Sequence, residues 1–289
     1  TGGSGNDTLV GGIGNDHLDG GEGDDTLTGN SNDDTLFASA GNDTLDAGDE
    51  DDVVDYSNAT GGISGTASGR DVIITGFGTD TLIDVETIIG SAFDDSIVAS
   101  LDVRALYGAD GNDTLTASGT ATALYGEDGN DSLTGDAGND TLDGGSGDDV
   151  MDANAGDDTL IGGAGDDVMD GGADNDIAVY TGNQSDFTVT DLGGGSFRVV
   201  DNVNGQGTDT LSNVESVIFD DSTTVDLQNN ILFGNGGLAD GGSVDANDNH
   251  LLTYTEPSVI DIDPGNPTIT NQSDYTLDYE VRDGLLHTS

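Results

Sequence analysis

Residues 126–170 read GEDGNDSLT GDAGNDTLD GGSGDDVMD ANAGDDTLI GGAGDDVMD, five nine-residue units laid end to end. Glycine crowds the first four positions, aspartate stands at position 6 and an apolar residue at position 8. Read outward, the register holds without a slip for ten nonads from Gly90 to Val179. A first array of six starts at Gly2 with GGSGNDTLV and GGIGNDHLD and ends in a worn AGDEDDVVD at Asp55. Position 8 is apolar in all sixteen nonads: Leu9, Leu18, Leu27, Leu36, Leu45 and Val54, then Ile97, Leu106, Leu115, Leu124, Leu133, Leu142, Met151, Leu160, Met169 and Ala178. Position 6 is aspartate in fourteen: Asp7, Asp16, Asp25, Asp34, Asp43, Asp52, Asp95, Asp113, Asp131, Asp140, Asp149, Asp158, Asp167 and Asp176.

That double phase decides between two readings of the composition. The 289 residues carry 58 acidic groups, of which only seven are glutamate, against four basic groups, all arginine, for a formal charge of −54. With 48 glycines and 33% hydrophobic residues, the numbers are those of a disordered polyanion. A disordered tail has no reason to keep two residue types in step, whereas a fixed short period marks a solenoid of stacked repeats. The charge also bounds the partners. Phosphate binding needs basic groups, which excludes nucleic acid, and an anionic membrane surface repels the chain; the implied partner is a cation. There is no cysteine, so disulfides contribute nothing. No apolar run approaches the ~18–20 residues of a membrane span, so this segment is expected not to insert. The chain opens at Thr1 directly before a repeat, with no initiator methionine or export leader, and is expected to be a piece of something longer.

One nonad explains itself physically. Glycine at positions 1, 2 and 4 permits the positive φ of a tight loop. Positions 7 to 9, typically Thr-Leu-Asp, alternate as a short strand with one side chain inward. Two nonads then make one flattened turn with a strand on each face, and turns stack about 4.8 Å apart as parallel sheet. Loop n lies over loop n+2, so aspartate carboxylates and bare carbonyls of stacked loops converge along an edge. An anionic, all-oxygen cavity suits Ca²⁺, with six to eight oxygen ligands, better than Mg²⁺. Each nonad buries one leucine-sized side chain against the ordering of nine backbones, and its stacked aspartates repel. A cation that binds only the folded form therefore couples binding to folding.

The nonads resemble the RTX (repeats-in-toxin) motif GGxGxDxUx across 144 of the 289 residues. The resemblance implies an all-β fold of right-handed parallel β-rolls and multiple Ca²⁺ ions held by the fourteen position-6 aspartates and loop carbonyls, shared between loops n and n+2. It also implies type I secretion and folding on meeting external calcium, hence an extracellular or bacterial cell-surface location. Two nonads depart from the pattern: ASLDVRALY puts Arg104, and ASGTATALY puts Thr122, at the ligand position. They lie one turn apart on one edge, which is expected to start metal-free in the second array, its calcium column beginning near Asp140. Tyr107 and Tyr125 would stack beside that gap.

Each array runs into a related stretch. GTDTLIDVETIIGS follows the first and GTDTLSNVESVIFDD the second, an internal duplication. DVIITGFG and FTVTDLGGGSFRVVD alternate as strands and hairpins do. The expected organisation is a first roll at 1–55, a β cap at 56–89, a second roll at 90–179, a β cap at 180–228, and a linker with the start of a β domain or an export signal at 229–289. The caps are expected to close roll ends and shield strand edges, with Glu86 and Glu215 structural. In the last stretch, Asp245-Ala-Asn-Asp-Asn249 matches the cadherin calcium linker DxNDN; Asp245, Asn247, Asn249 and Glu256 also fall on EF-hand positions, but His250 replaces the loop glycine and Pro257 follows. PTITNQSDYTLDYEVRDG alternates like strands and resembles the opening of an immunoglobulin-like repeat.

No catalytic constellation emerges. His17, His250 and His287 are far apart, and HExxH, GxSxG and P-loop motifs are absent; the carboxylates are repeat-spaced rather than paired for acid–base work. The chain is read as a non-enzymatic, calcium-binding structural segment of a large secreted or surface protein such as an adhesin or matrix protein, with self-assembly or surface partners open. The alternative is an accessory module of a secreted protease, lipase or polysaccharide-modifying enzyme, or of a pore-forming toxin, whose active part lies upstream.

Overall fold

The computed structural model describes residues 1–228 apart from Thr120, together with the strands Ile231–Phe233, Thr268–Thr270, Thr276–Arg282 and Leu285–Thr288. The fold is all-β. Among the described residues the one helical element is the 3-10 turn Gln184–Asp186, and no helix is long and apolar enough to cross a membrane.

Two large sheets, of fourteen and twelve strands, carry the nonads. Successive nonads alternate between them: Thr114–Thr116 lies in the first, Ala123–Asp128 in the second, Ser132–Thr134 in the first again. Pairing within the arrays is parallel at a spacing of eighteen residues, Leu115 beside Leu133 and Leu124 beside Leu142. The chain is thus a parallel β-solenoid. Position 8 points between the sheets, and Leu27, Leu36, Leu106, Leu115, Leu124 and Leu160 are completely buried there. Leu9, on the edge strand Thr8–Ile13, is half-buried.

Two separate rolls, each closed by a cap, were the expectation for the two arrays; both sheets instead run through residues 56–89 without a break. The twelve-stranded sheet passes from Val53–Asp55 to Thr87–Ile89 to Ala105–Asp110, all parallel. In the other sheet Thr79–Ile83 stacks on Thr44–Asp49, placing Leu82 beside Leu45. Asp71–Thr75 then pairs antiparallel with both Thr79–Ile83 and Ser64–Ser68, and Ser64–Ser68 meets Ser96–Val98 of the second array. The reason is apolar: Ile63, Val72, Ile74 and Leu82 are buried where repeat leucines would otherwise lie. The first connector is a splice, not an end.

Past residue 180 both sheets do finish in antiparallel strands. Thr208–Ser212 stacks on Val168–Asp170 and carries the hairpin Phe187–Gly193 with Ser196–Asp201. Ser216–Phe219 stacks on Ile177–Tyr180 and is followed by Thr224–Asp226 and Ile231–Phe233. Tyr180, Phe187 and Phe219 pack beneath, ring centroids 5.1–5.9 Å apart. Within the last residues, Thr268–Thr270, Thr276–Arg282 and Leu285–Thr288 form a three-stranded antiparallel sheet, as their alternation suggests.

The loop glycines divide into two kinds. Gly129, at position 4, has φ +147°, and a methyl there would overlap the carbonyl oxygen of Gly111 in the coil below. Gly126, at position 1, shows no such φ; a methyl there would overlap the Asp131 carboxylate of its own nonad. Position 1 thus chiefly makes room for the aspartate, whereas position 4 needs the left-handed backbone as well. Alanine does occupy position 1 in five nonads, as at Ala47 and Ala153, so that demand is relaxed in places. In denaturant titrations with calcium present, Gly129→Ala is expected to destabilise by about 2 kcal/mol or more, whereas Gly61→Ala, with open space around it, stays within about 0.5 kcal/mol.

Candidate metal centre

Stacking gathers the position-6 residues into two columns, one at each edge of the solenoid. Along the first, Asp7, Asp25, Asp43 and Asp80 follow one another, and past the splice come Asp95, Asp113, Asp131, Asp149, Asp167 and Asp209. The second begins Asp16, Asp34, Asp52, Glu86 and resumes as Asp140, Asp158, Asp176, Glu215. Each column is a relay. The backbone N–H of one aspartate donates to the carboxylate of the residue one turn on, as from Asp113 to Asp131 Oδ1 at 2.7 Å and from Asp140 to Asp158 Oδ1 at 2.7 Å. The side chains lie inside the bend; Asp158 and Asp176 are wholly inaccessible.

The relay uses one oxygen. Among the described residues the other, Oδ2, is buried without a protein partner in Asp7, Asp16, Asp25, Asp34, Asp52, Asp113, Asp131, Asp149, Asp158, Asp167 and Asp176. Three predicted ligands differ: Asp43 accepts from Ser39 Oγ at 3.1 Å, Asp95 from the Ser91 N–H at 2.6 Å, and Asp140 from the Asp136 N–H at 2.8 Å. A buried carboxylate oxygen left unpaired is costly, so it must find a cation or a proton. Backbone oxygen lies beside it: a Cβ on Gly108, Gly126 or Gly144 would strike both the Oδ2 of Asp113, Asp131 or Asp149 in its own nonad and the carbonyl oxygen of Gly126, Gly144 or Gly162 in the next coil. The donor set is hard and anionic and fits calcium-type chemistry. Among the described residues no three aspartate, glutamate, histidine or cysteine side chains converge on one point, so an ion in a bend would draw most of its oxygens from the backbone.

The second column is interrupted where the sequence departs from the motif. Arg104 is exposed and its guanidinium pairs with Asp51, while Val103 fills the interior. Thr122 is buried, and its N–H donates to Asp140 Oδ1 at 2.7 Å. On the outer face beside this gap, Tyr107 and Tyr125 stack with centroids 4.5 Å apart and planes 9° from parallel, the expected ladder.

Four column members were not singled out as such from the sequence. Asp80 and Asp209 are buried and rejoin the first column, accepting from the N–H groups of Asp43 and Asp167. Glu86 and Glu215 accept from Asp52 and Asp176 in the second, a structural role as anticipated. The signal was present: GTDTL at 78–82 and 207–211 repeats the second half of GNDTL. His17 is exposed beside Phe37. The linker residues Asp245, Asn247, Asn249 and Glu256, with His250 and Pro257, lie outside the described residues.

The family model described as RTX calcium-binding nonapeptide repeat (4 copies) matches residues 1–36, 28–58, 66–83, 84–115, 105–119, 119–151 and 143–178, more than half of the chain. No curated protein matches. Among solved structures, the extracellular lipase LipA from Serratia marcescens is similar at 24% identity over 73% of this chain, with a TM-score of 0.31. The match covers 37% of the lipase, so the chain spans little more than a third of that protein.

The buried carboxyls also set a pH dependence. Desolvation raises Asp113 and Asp149 to about 7, helped by the charges of their column neighbours and opposed by the relay hydrogen bond. Asp158, Asp167 and Asp176 rise to about 6, again chiefly by desolvation. Without metal, the folded form therefore holds these protons more tightly than the unfolded form. The stability they contribute is complete below the ordinary carboxylate value and is lost as the pH rises through about 6 to 7. In chelator, lowering the pH from about 7.5 to 5 is expected to increase the β-sheet circular dichroism signal. With calcium, the midpoint concentration for folding should rise as pH falls through the same window, because the ion must displace the proton.

Proposed function

The chain belongs to the RTX calcium-binding nonapeptide-repeat family, and from that premise we propose that it is a calcium-folded structural segment of a longer secreted or cell-surface protein, exported by a type I system and solidified by external calcium. The ligands in this reading are the position-6 aspartates together with loop carbonyls of loops n and n+2, apart from Asp95, whose carboxylate the protein itself satisfies. Bound calcium supplies the positive charge that the buried carboxylates lack. The protein's own residues do the remainder: the relay from N–H to Oδ1 orients each carboxylate, glycine at position 1 leaves it room, and the inward leucines hold the two sheets together. The observation that carries the reading is the set of eleven buried Oδ2 atoms, distributed over the two columns, without protein partners among the described residues.

The columns are built from one backbone-to-carboxylate contact repeated coil after coil, which supports a scaffold role for this segment. A shape built by repetition of one coil, with acid on both edges, suits a spacer in an adhesin or matrix protein.

Circular dichroism during calcium titration, with chelator as the reference, tests the proposal directly. A mostly disordered spectrum in chelator, gaining strong β-sheet signal in millimolar calcium, is expected; an identical spectrum in both ends it. Asp158→Ala should weaken calcium-driven folding, raising the midpoint concentration roughly tenfold. Arg104→Ala, outside the columns and paired with exposed Asp51, should leave the number of bound ions unchanged by isothermal calorimetry.

A further inference from the structure

Among the described residues, the run of partnerless buried carboxylate oxygens stops at Asp52 and resumes at Asp113. Between them lies the splice, and there the interior carboxylates are satisfied by the protein itself. Asp80 accepts from the Asp43 N–H and from the Tyr56 hydroxyl, both at 2.9 Å, and Tyr56 is completely buried. Asp95 accepts from the N–H groups of Ile63 at 2.7 Å and Ser91 at 2.6 Å, and from Ser91 Oγ at 2.8 Å. Glu86 takes the Asp52 N–H at 3.0 Å.

Positive charge is placed here too. Two of the four arginines in the chain sit in this region. Arg70, at the hairpin turn, grips Asp102 through both Nε, at 2.6 Å, and Nη2, and Arg104 reaches back to Asp51 of the first array. Exposed pairs of this kind stabilise little by themselves, but they neutralise acids where no cation column runs. The core is also denser: Tyr56, Ile63, Val72, Ile74, Leu82 and Val85 are all buried within thirty residues, against one inward residue per nonad in the arrays.

We infer that residues 56–106 form a metal-independent splice, held by its own hydrogen bonds, ion pairs and core, which stays formed when cations are withdrawn from the arrays on either side and serves as the template on which both restack. The inference rests on the calcium reading for the arrays themselves. It assigns the chain an internal seed with two growth fronts, Thr44–Asp49 and Val53–Asp55 on one side and Thr114–Thr116 and Ala123–Asp128 on the other.

Hydrogen exchange of the full chain, followed by mass spectrometry in calcium and in chelator, tests it. In chelator, amides of residues 63–89 are expected to exchange at least ~10-fold more slowly than those of residues 126–170, and to match them in calcium. Tyr56→Phe, which removes one hydroxyl, should erode the protection of 63–89 in chelator without reducing the number of calcium ions bound. If 63–89 and 126–170 exchange equally fast in chelator while both are protected in calcium, the splice depends on metal and the inference alone is overturned. Protection of 126–170 that is the same in both buffers would overturn the calcium reading and the inference with it.

Discussion

A single hydrogen bond, repeated, sets the geometry of this molecule: the backbone N–H of one coil donating to an aspartate carboxylate eighteen residues further on. It joins a local group to a distant one at a fixed step, so it selects the phase in which coils superpose. With that phase fixed, position 8 of every nonad falls between the sheets. A slip of one residue would send the same leucine into solvent and bring polar neighbours in. Strand pairing, the line of buried leucines and the cramped glycine bends all follow from the coils keeping step.

The same bond exacts an electrostatic cost. To accept the N–H, each carboxylate must sit inside the bend, and its second oxygen goes in with it. Buried in columns and desolvated, these groups are pushed towards the neutral form, Asp113 and Asp149 furthest among the repeat aspartates. The two ways of relieving that cost divide the chain. In the nonads the unmet oxygens face carbonyl-lined bends suited to a hard cation. At the splice, Tyr56, Ser91 and backbone amides meet them instead.

Much of this is legible in the sequence because it repeats. The inward residues, the alternation of nonads between two faces and the parallel eighteen-residue register follow from counting from Gly90 to Val179. The gap at Arg104 and Thr122, with the tyrosine stack beside it, was visible as departures from a motif. What escaped was the part made by unlike segments. VVDYSNATGG and DVIITGFG show that strands exist, but not that Asp71–Thr75 turns the chain back so that Ser64–Ser68 can meet Ser96–Val98. That pairing is decided by which apolar faces find each other at long range, and no local pattern encodes it. Asp80 escaped for a narrower reason: Gly76, Gly78 and Leu82 keep the motif around it, but Thr75 replaces the first glycine and the stretch falls out of step with the nine-residue count that ends at Asp55.

The asymmetry of the splice carries a consequence for how such a chain changes over generations. One sheet steps from Val53–Asp55 straight to Thr87–Ile89 as though nothing lay between them, while the other absorbs the entire detour as a hairpin. An ancestral gene could therefore accept foreign sequence on one face while its opposite face went on recording a uniform ladder. Lengthening by whole coils and grafting at a single face become separate genetic events, and only the first must respect the count of eighteen.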